Sequence, residues 1–219
     1  LGDDFETDTD TSNSQGRFAD ITKSADLFLQ RPEFPIAFCI RDTPGVNDTF
    51  MMREQITIRA IRESRICVVV LSAHQALSTV DLALIRLISN IPTREVMIFV
   101  NRIDELSDPA AQVPEIEQSI RDTLQEHKGP ANAEILFGSA LWANHVLDPK
   151  AGELSEASAA ALENWADDRL EDGGNKSDAE VAWELSGVPA VYAALAARID
   201  AGIGEDAVTK AAKGALNLV

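Results

Sequence analysis

Apolar positions along the chain alternate between two rhythms. Runs in which nearly every residue is apolar, "ADLFLQ" (25–30), "PIAFCIRD" (35–42), "ICVVVLSA" (66–73), "REVMIFVN" (94–101) and "AEILFGSA" (133–140), read as strands. Between them the spacing widens to that of helices. Residues 51–64, "MMREQITIRAIRES", look helical, and Ser78 with Asp81 three residues on makes a capping-box-like start for a helix over Leu82, Ile85 and Ile88. Pro92 ends that helix. Pro114 fits a first helical position, with Ile116, Ile120 and Leu124 forming one stripe until Gly129-Pro130. Strands alternating with helices of this length predict an α/β fold, a doubly wound and mostly parallel sheet with helices on both faces.

The remaining segments set the domain plan. Residues 1–24 read as an acidic, mobile segment: positions 1–16 carry five acids and no base. Residues 25–142 form the core. Residues 143–185 break the rhythm as an acidic helical insertion, with ten acids against two bases in 151–185, an alanine-rich helix around 156–170 and a loop over 172–178. Residues 186–219 return to the core through a helix begun by Pro189, with Val191, Leu195 and Ile199 on one side, and continue into a helical C-terminus over 207–219. Trp142, Trp165 and Trp183 are expected to pack helices together.

Composition narrows the partners. The net charge of -17 disfavours DNA, RNA or anionic lipid bound through the bulk field, while leaving room for a nucleotide in a local site. Cys39 and Cys67 sit inside apolar runs and read as small core residues, which suits a reducing, cytoplasmic setting. The longest strongly apolar run, 66–71, is too short to span a bilayer, and the N-terminus does not read as a signal peptide. His74, His127 and His145 show no metal-ligand spacing.

Three strands end in polar turns, and open α/β sheets bind ligands at the carboxyl ends of their strands. The first ends "DTPG", Asp42-Thr43-Pro44-Gly45. A carboxylate at Asp42 can hold a hydrated Mg²⁺, and the Gly45 N–H can approach a terminal phosphate because no Cβ intervenes. The second ends "NRID", Asn101 to Asp104. Asn101 can pair with the Hoogsteen edge of guanine, and Asp104 can accept from its N1–H and N2–H₂, a donor pair that adenine lacks. The third ends "SAL", Ser139-Ala140-Leu141, where a small residue lets backbone N–H groups reach the guanine O6.

DTPG, then NRID, then SAL, each at a strand end, with 59 residues from Asp42 to Asn101 and 35 from Asp104 to Ser139, resembles the guanine-nucleotide-binding domain of P-loop GTPases. The phrase "DTPGVND" followed by "REQITIRAIRESRICVVVLSA" looks most like the bacterial dynamin-like GTPases, although GTPases of the Era type also share DTPG. The resemblance implies GTP hydrolysis to GDP and phosphate with Mg²⁺, and catalytic roles for Asp42 and Gly45. It gives nucleotide contacts to Thr43, Pro44, Asn101, Arg102, Asp104, Ser139, Ala140 and Leu141. It also implies a homodimer or oligomer through the GTPase head, with peripheral membrane contact through further domains.

The chain departs from that pattern. GxxxxGK[ST] appears nowhere, and "GGNKS" (173–177) lacks the required strand in front. In the resembled fold the strand before that loop lies between the DTPG strand and the "ICVVVL" strand, so its loss would leave two apolar edges unpaired. The expectation is therefore an N-terminally truncated piece, itself inactive, whose switch threonine is missing too; Thr11 and Thr22 lack a recognisable context. Arg102 replaces the usual lysine, its stem able to pack over the base, and Val46 stands where Ras-like enzymes place a water-orienting glutamine. Two alternatives stay open: a nucleotide-sensing or scaffolding module without hydrolysis, and an Era-like assembly GTPase acting on RNA.

Overall fold

The structure is a computed structural model that describes residues 25–30, 37–43, 51–75, 77–91, 94–148, 150, 152–170 and 176–203. The expectations for residues 1–24, Pro44 to Asp48, Pro92 and the helix over 207–219 lie outside the described residues.

Strands and helices follow in the predicted order. β1 (Ala25–Leu29) and β2 (Phe38–Asp42) form an antiparallel pair. α1 (Met51–Glu63) leads to β3 (Ile66–Ser72), α2 (Thr79–Ser89) to β4 (Glu95–Asn101), and α3 (Pro109–Glu126) to β5 (Glu134–Phe137). β3, β4 and β5 make a parallel sheet in that order, with β4 central and continuously buried from Val96 to Val100.

The register sorts the side chains of this sheet. Val69, Leu71, Ile98, Val100 and Ile135 share one face, which joins a buried cluster with Ile61 of α1, Leu82, Ile85 and Ile88 of α2, and Val113, Ile120 and Leu124 of α3. The opposite face carries Val68, Val70, Met97, Phe99 and Glu134. α7 (Val188–Arg198) lies on that side: its Arg198 pairs with Glu95 (2.9 Å) and Glu134 (2.6 Å), at the starts of β4 and β5. Met97 and Phe99 are buried, whereas Val68 and Val70 remain 40% and 59% exposed. Among the described residues no ladder joins β2 to β3, so the expected gap between two apolar strands is present as two separate sheets.

Local chemistry explains most boundaries. Ser78 and Asp81 form a full capping box at α2, which satisfies two of the helix's orphan N–H groups. α3 corrects the sequence reading, because it starts at Pro109 and Pro114 lies inside it. Asp108 accepts from the Ala111 N–H and Pro109 takes the first-turn position, so capping begins the helix five residues earlier; Pro114 then removes one interior hydrogen bond.

The acidic insertion is helical. α4 (Ala140–Leu147), α5 (Glu156–Arg169) and α6 (Asp178–Leu185) follow β5, and Trp142 and Trp165 are buried among them as expected. Lys176 and Ser177, part of the false "GGNKS" loop, only serve α6: Ser177 makes a capping box with Glu180, and Lys176 pairs with Glu184.

Candidate functional site

The carboxyl ends of β4 and β5 are stitched together by backbone. The Gly138 N–H donates to Val100 O (3.0 Å), and the Ile103 N–H donates to Gly138 O (3.3 Å). Behind them the Ser139 N–H donates to Ser186 O (2.9 Å) at the α6–α7 junction. That approach requires glycine at two places. A Cβ on Gly138 would lie 2.0 Å from Ser186 O, and one on Gly187 (φ +76°) would lie 2.3 Å from Phe137 O. The NRID and SAL turns are thus set at one end of the sheet by backbone contacts.

Asn101 bridges the two turns. Its Oδ1 accepts from the Arg102 N–H (2.8 Å) and from the Ala140 N–H (2.9 Å). Two donors converging on one atom fix that atom as oxygen, so Nδ2 is the other end of the amide. Among the described residues no partner takes the Nδ2 hydrogens. The amide therefore locks the turn with its acceptor and presents its donors.

Asp104 lies in a short 3-10 turn, Ile103–Glu105, and is 5% exposed. Among the described residues no hydrogen bond or ion pair reaches its carboxylate, so it does not cap the following turn. An ionised carboxylate is acceptor-only, and its oxygens reach solvent although the residue as a whole is nearly buried. A ligand with two adjacent N–H donors could pair with both oxygens.

The SAL residues divide their work. Ser139 is fully buried and caps α4, its Oγ accepting from the Trp142 N–H (3.2 Å). The Ser139 and Ala140 N–H groups are already engaged by Ser186 O and Asn101 Oδ1. Leu141 is exposed, and among the described residues its N–H has no partner; it is the open donor at the start of α4.

Arg102 occupies the left-handed region (φ 72°), and its guanidinium clamps Glu105 Oε1 through Nε (2.8 Å) and Nη2 (2.6 Å). Glu105 Oε2 also faces His74 Nε2 at 3.1 Å, tying the end of β3 to the same turn. The sequence reading passed over His74 and Glu105. The three-residue spacing of Arg102 and Glu105 was the available signal, whereas His74 reaches the turn only through the fold.

Asp42 ends β2 exposed, with Thr43 half-buried beside it; Pro44 and Gly45 lie outside the described residues. A hydrated Mg²⁺ requires one or two carboxylates and phosphate oxygens, which a free strand-end Asp42 fits. Among the described residues no three His, Cys, Asp or Glu side chains gather into an all-protein cage. The β1–β2 pair is tied to the body through Arg41, which bonds Asp26 (2.7 Å) and Glu63 of α1 (2.5 Å).

No family model and no curated protein sequence matches the chain. Among solved structures it is similar to a bacterial dynamin pair described as oligomerised and as sensing and tethering membranes. That likeness has 20% identity and a TM-score of 0.51, over 82% of this chain and 27% of that one. It is also similar to Era in complex with MgGDPNP and a 16S ribosomal RNA segment, at 17% identity and a TM-score of 0.44, over 54% of this chain and 39% of that one. The chain spans well under half the length of either neighbour. Over the 82% of its length matched there, the chain shares the fold of the bacterial dynamin pair.

Proposed function

We propose that this chain is the guanine-nucleotide-binding part of a dynamin-like GTPase that hydrolyses GTP to GDP and phosphate in the intact protein. One observation carries the reading. The Asn101 amide and the Leu141 N–H offer unspent donors, beside an Asp104 carboxylate that has no partner among the described residues and offers only acceptors. Guanine presents the complement: acceptors at N7 and O6, donors at N1 and N2. Adenine would leave the carboxylate unpaired, a mismatch that polar pockets reject strongly.

Asp42 would hold Mg²⁺ through water, and the ion would neutralise phosphate charge. Thr43 and Pro44 would line that phosphate corner, with Gly45 contacting the γ-phosphate. The phosphate loop has no counterpart in the sequence, and the edge of β3 that has no partner strand among the described residues is where a strand carrying it would pair. Assembly through the head, peripheral membrane contact and a cytoplasmic location belong to the same proposal. No helix among the described residues is long and apolar enough to cross a membrane.

The same missing loop favours a second reading, a module that binds and senses guanine nucleotide without turnover. Titration of the full-length protein with GDP and ADP, followed by a phosphate-release assay with GTP, separates these readings. Guanine-selective binding with Mg²⁺-dependent release supports the GTPase; selective binding without release supports the sensor. Equal affinity for GDP and ADP would reject both.

A further inference from the structure

Side chains from two elements meet behind the NRID turn. Arg102 stands between Asn101 and Asp104, and its side chain is 55% exposed, so core packing does not order it. Glu105 does. The guanidinium Nε (2.8 Å) and Nη2 (2.6 Å) both donate to one oxygen, Oε1, and the Glu105 N–H donates to Arg102 O (3.2 Å). The other carboxylate oxygen, Oε2, lies 3.1 Å from His74 Nε2. His74 belongs to the segment after β3, which is seated on the end of β4, where the Ala73 N–H donates to Asn101 O (2.8 Å). One carboxylate is therefore held from two sides, and His74 keeps it from turning away from Arg102.

We propose that Glu105 and His74 are positioning residues of the base site, acting through Arg102. The inference rests on the guanine reading, in which the stem of Arg102 packs over the base, and it names what holds that stem. A free arginine side chain populates many rotamers, and ordering it on binding weakens affinity. A guanidinium already fixed by its fork avoids that loss. An isolated surface ion pair would be too weak for this, but here an arginine and a histidine share one carboxylate, and networks are where exposed charges gain weight.

The test is a double-mutant cycle on GDP affinity in the full-length protein, with Arg102→Ala, Glu105→Ala and the two together. Glu105→Ala should weaken GDP about fivefold while Arg102 is present, within the range for one side chain that binding must order. It should change GDP affinity by less than about twofold once Arg102 is alanine, because residues that act through one another are not additive. Both guanidinium contacts fall on a single oxygen, so Glu105→Gln keeps them and should stay within about twofold of the parent. His74→Ala should weaken GDP by a smaller factor with the same dependence on Arg102, and it carries the cycle if Glu105→Ala does not fold. Urea midpoints should hardly move, since these groups are exposed. A fivefold loss that persists without Arg102, or a Glu105→Ala protein that binds GDP as the parent does, overturns the positioning role. A parent protein that binds GDP and ADP alike removes the guanine reading itself, and this proposal with it.

Discussion

Asn101 serves two purposes with one amide, and substitution can separate them. Its oxygen holds the Arg102 and Ala140 N–H groups, and its nitrogen is left for a ligand. Asn101→Asp keeps an acceptor at the bridge and removes the donor. Its unfolding midpoint should stay near that of the parent while GDP affinity falls about tenfold, the worth of one hydrogen bond of about 1 kcal/mol or slightly more. Asn101→Ala loses the bridge too, and should unfold about 1–2 kcal/mol more easily in urea. Equal stability of the two variants would show that the bridge is idle. The residues of the proposed base site stand in the sequence as NRID and SAL. Their division of labour does not: which end of the Asn101 amide is free depends on Ala140, and only the β4–β5 register brings Ala140 within reach.

Elements with strong local signals were legible, and those defined by tertiary contact were not. The Ser78–Asp81 box and the Leu82, Ile85, Ile88 stripe specified α2 from sequence alone. α3 was placed late because two prolines compete for the start, and capping by Asp108 decides it. α4 and α6 are eight residues each, too short for a clear period, and neither was anticipated. Charge pairing at the joints between elements gives a pH dependence. The Arg41 guanidinium holds the Asp26 carboxyl below its usual range; Arg59 first, and then Arg41, lowers Glu63. The Ser177 backbone N–H, and then its side chain, lower Glu180. Each carboxyl is favoured as the charged form in the folded protein. Their stabilisation is therefore complete above the ordinary carboxylate range near pH ~4 and is lost as pH falls through the lowered folded values. These groups are exposed, so the effect should be local. Carbon-detected titration of Asp26, Glu63 and Glu180, with amide exchange in β1 and α6, should show loosening below about pH 4 while β4 stays protected. Protection factors in β1 and α6, taken relative to the intrinsic exchange rate at each pH, that do not change between pH 6 and 3 would contradict these pairings.

At the scale of the whole molecule, two sheets carry one set of strand-end motifs and are not joined by a ladder among the described residues. The consequence is exposed apolar surface: Val68 and Val70 beside an edge of β3 that has no partner strand among the described residues, and Phe28, 79% exposed, on β1. Unpaired apolar edges promote association. Sedimentation velocity of the 219-residue chain should therefore show self-association that Val70→Lys reduces, and unchanged association would place the contact elsewhere. The same gap accounts for the expectation that these residues alone turn over little or no GTP, since the phosphate loop has no counterpart in them. Fold class was legible in the alternation of strands and helices, and the break between sheets was foreseeable only once the three strand-end motifs suggested a strand between β2 and β3. What the molecule recognises is settled most directly by Asp104→Asn in the full-length protein, with GDP and XDP titrated against parent and variant. Asparagine offers a donor where aspartate offers only acceptors, so preference should move from GDP to XDP, by tenfold or more in the ratio of affinities, as expected for an exchanged buried hydrogen bond. An Asp104→Asn protein that folds and keeps the parent's preference for GDP would contradict the guanine site.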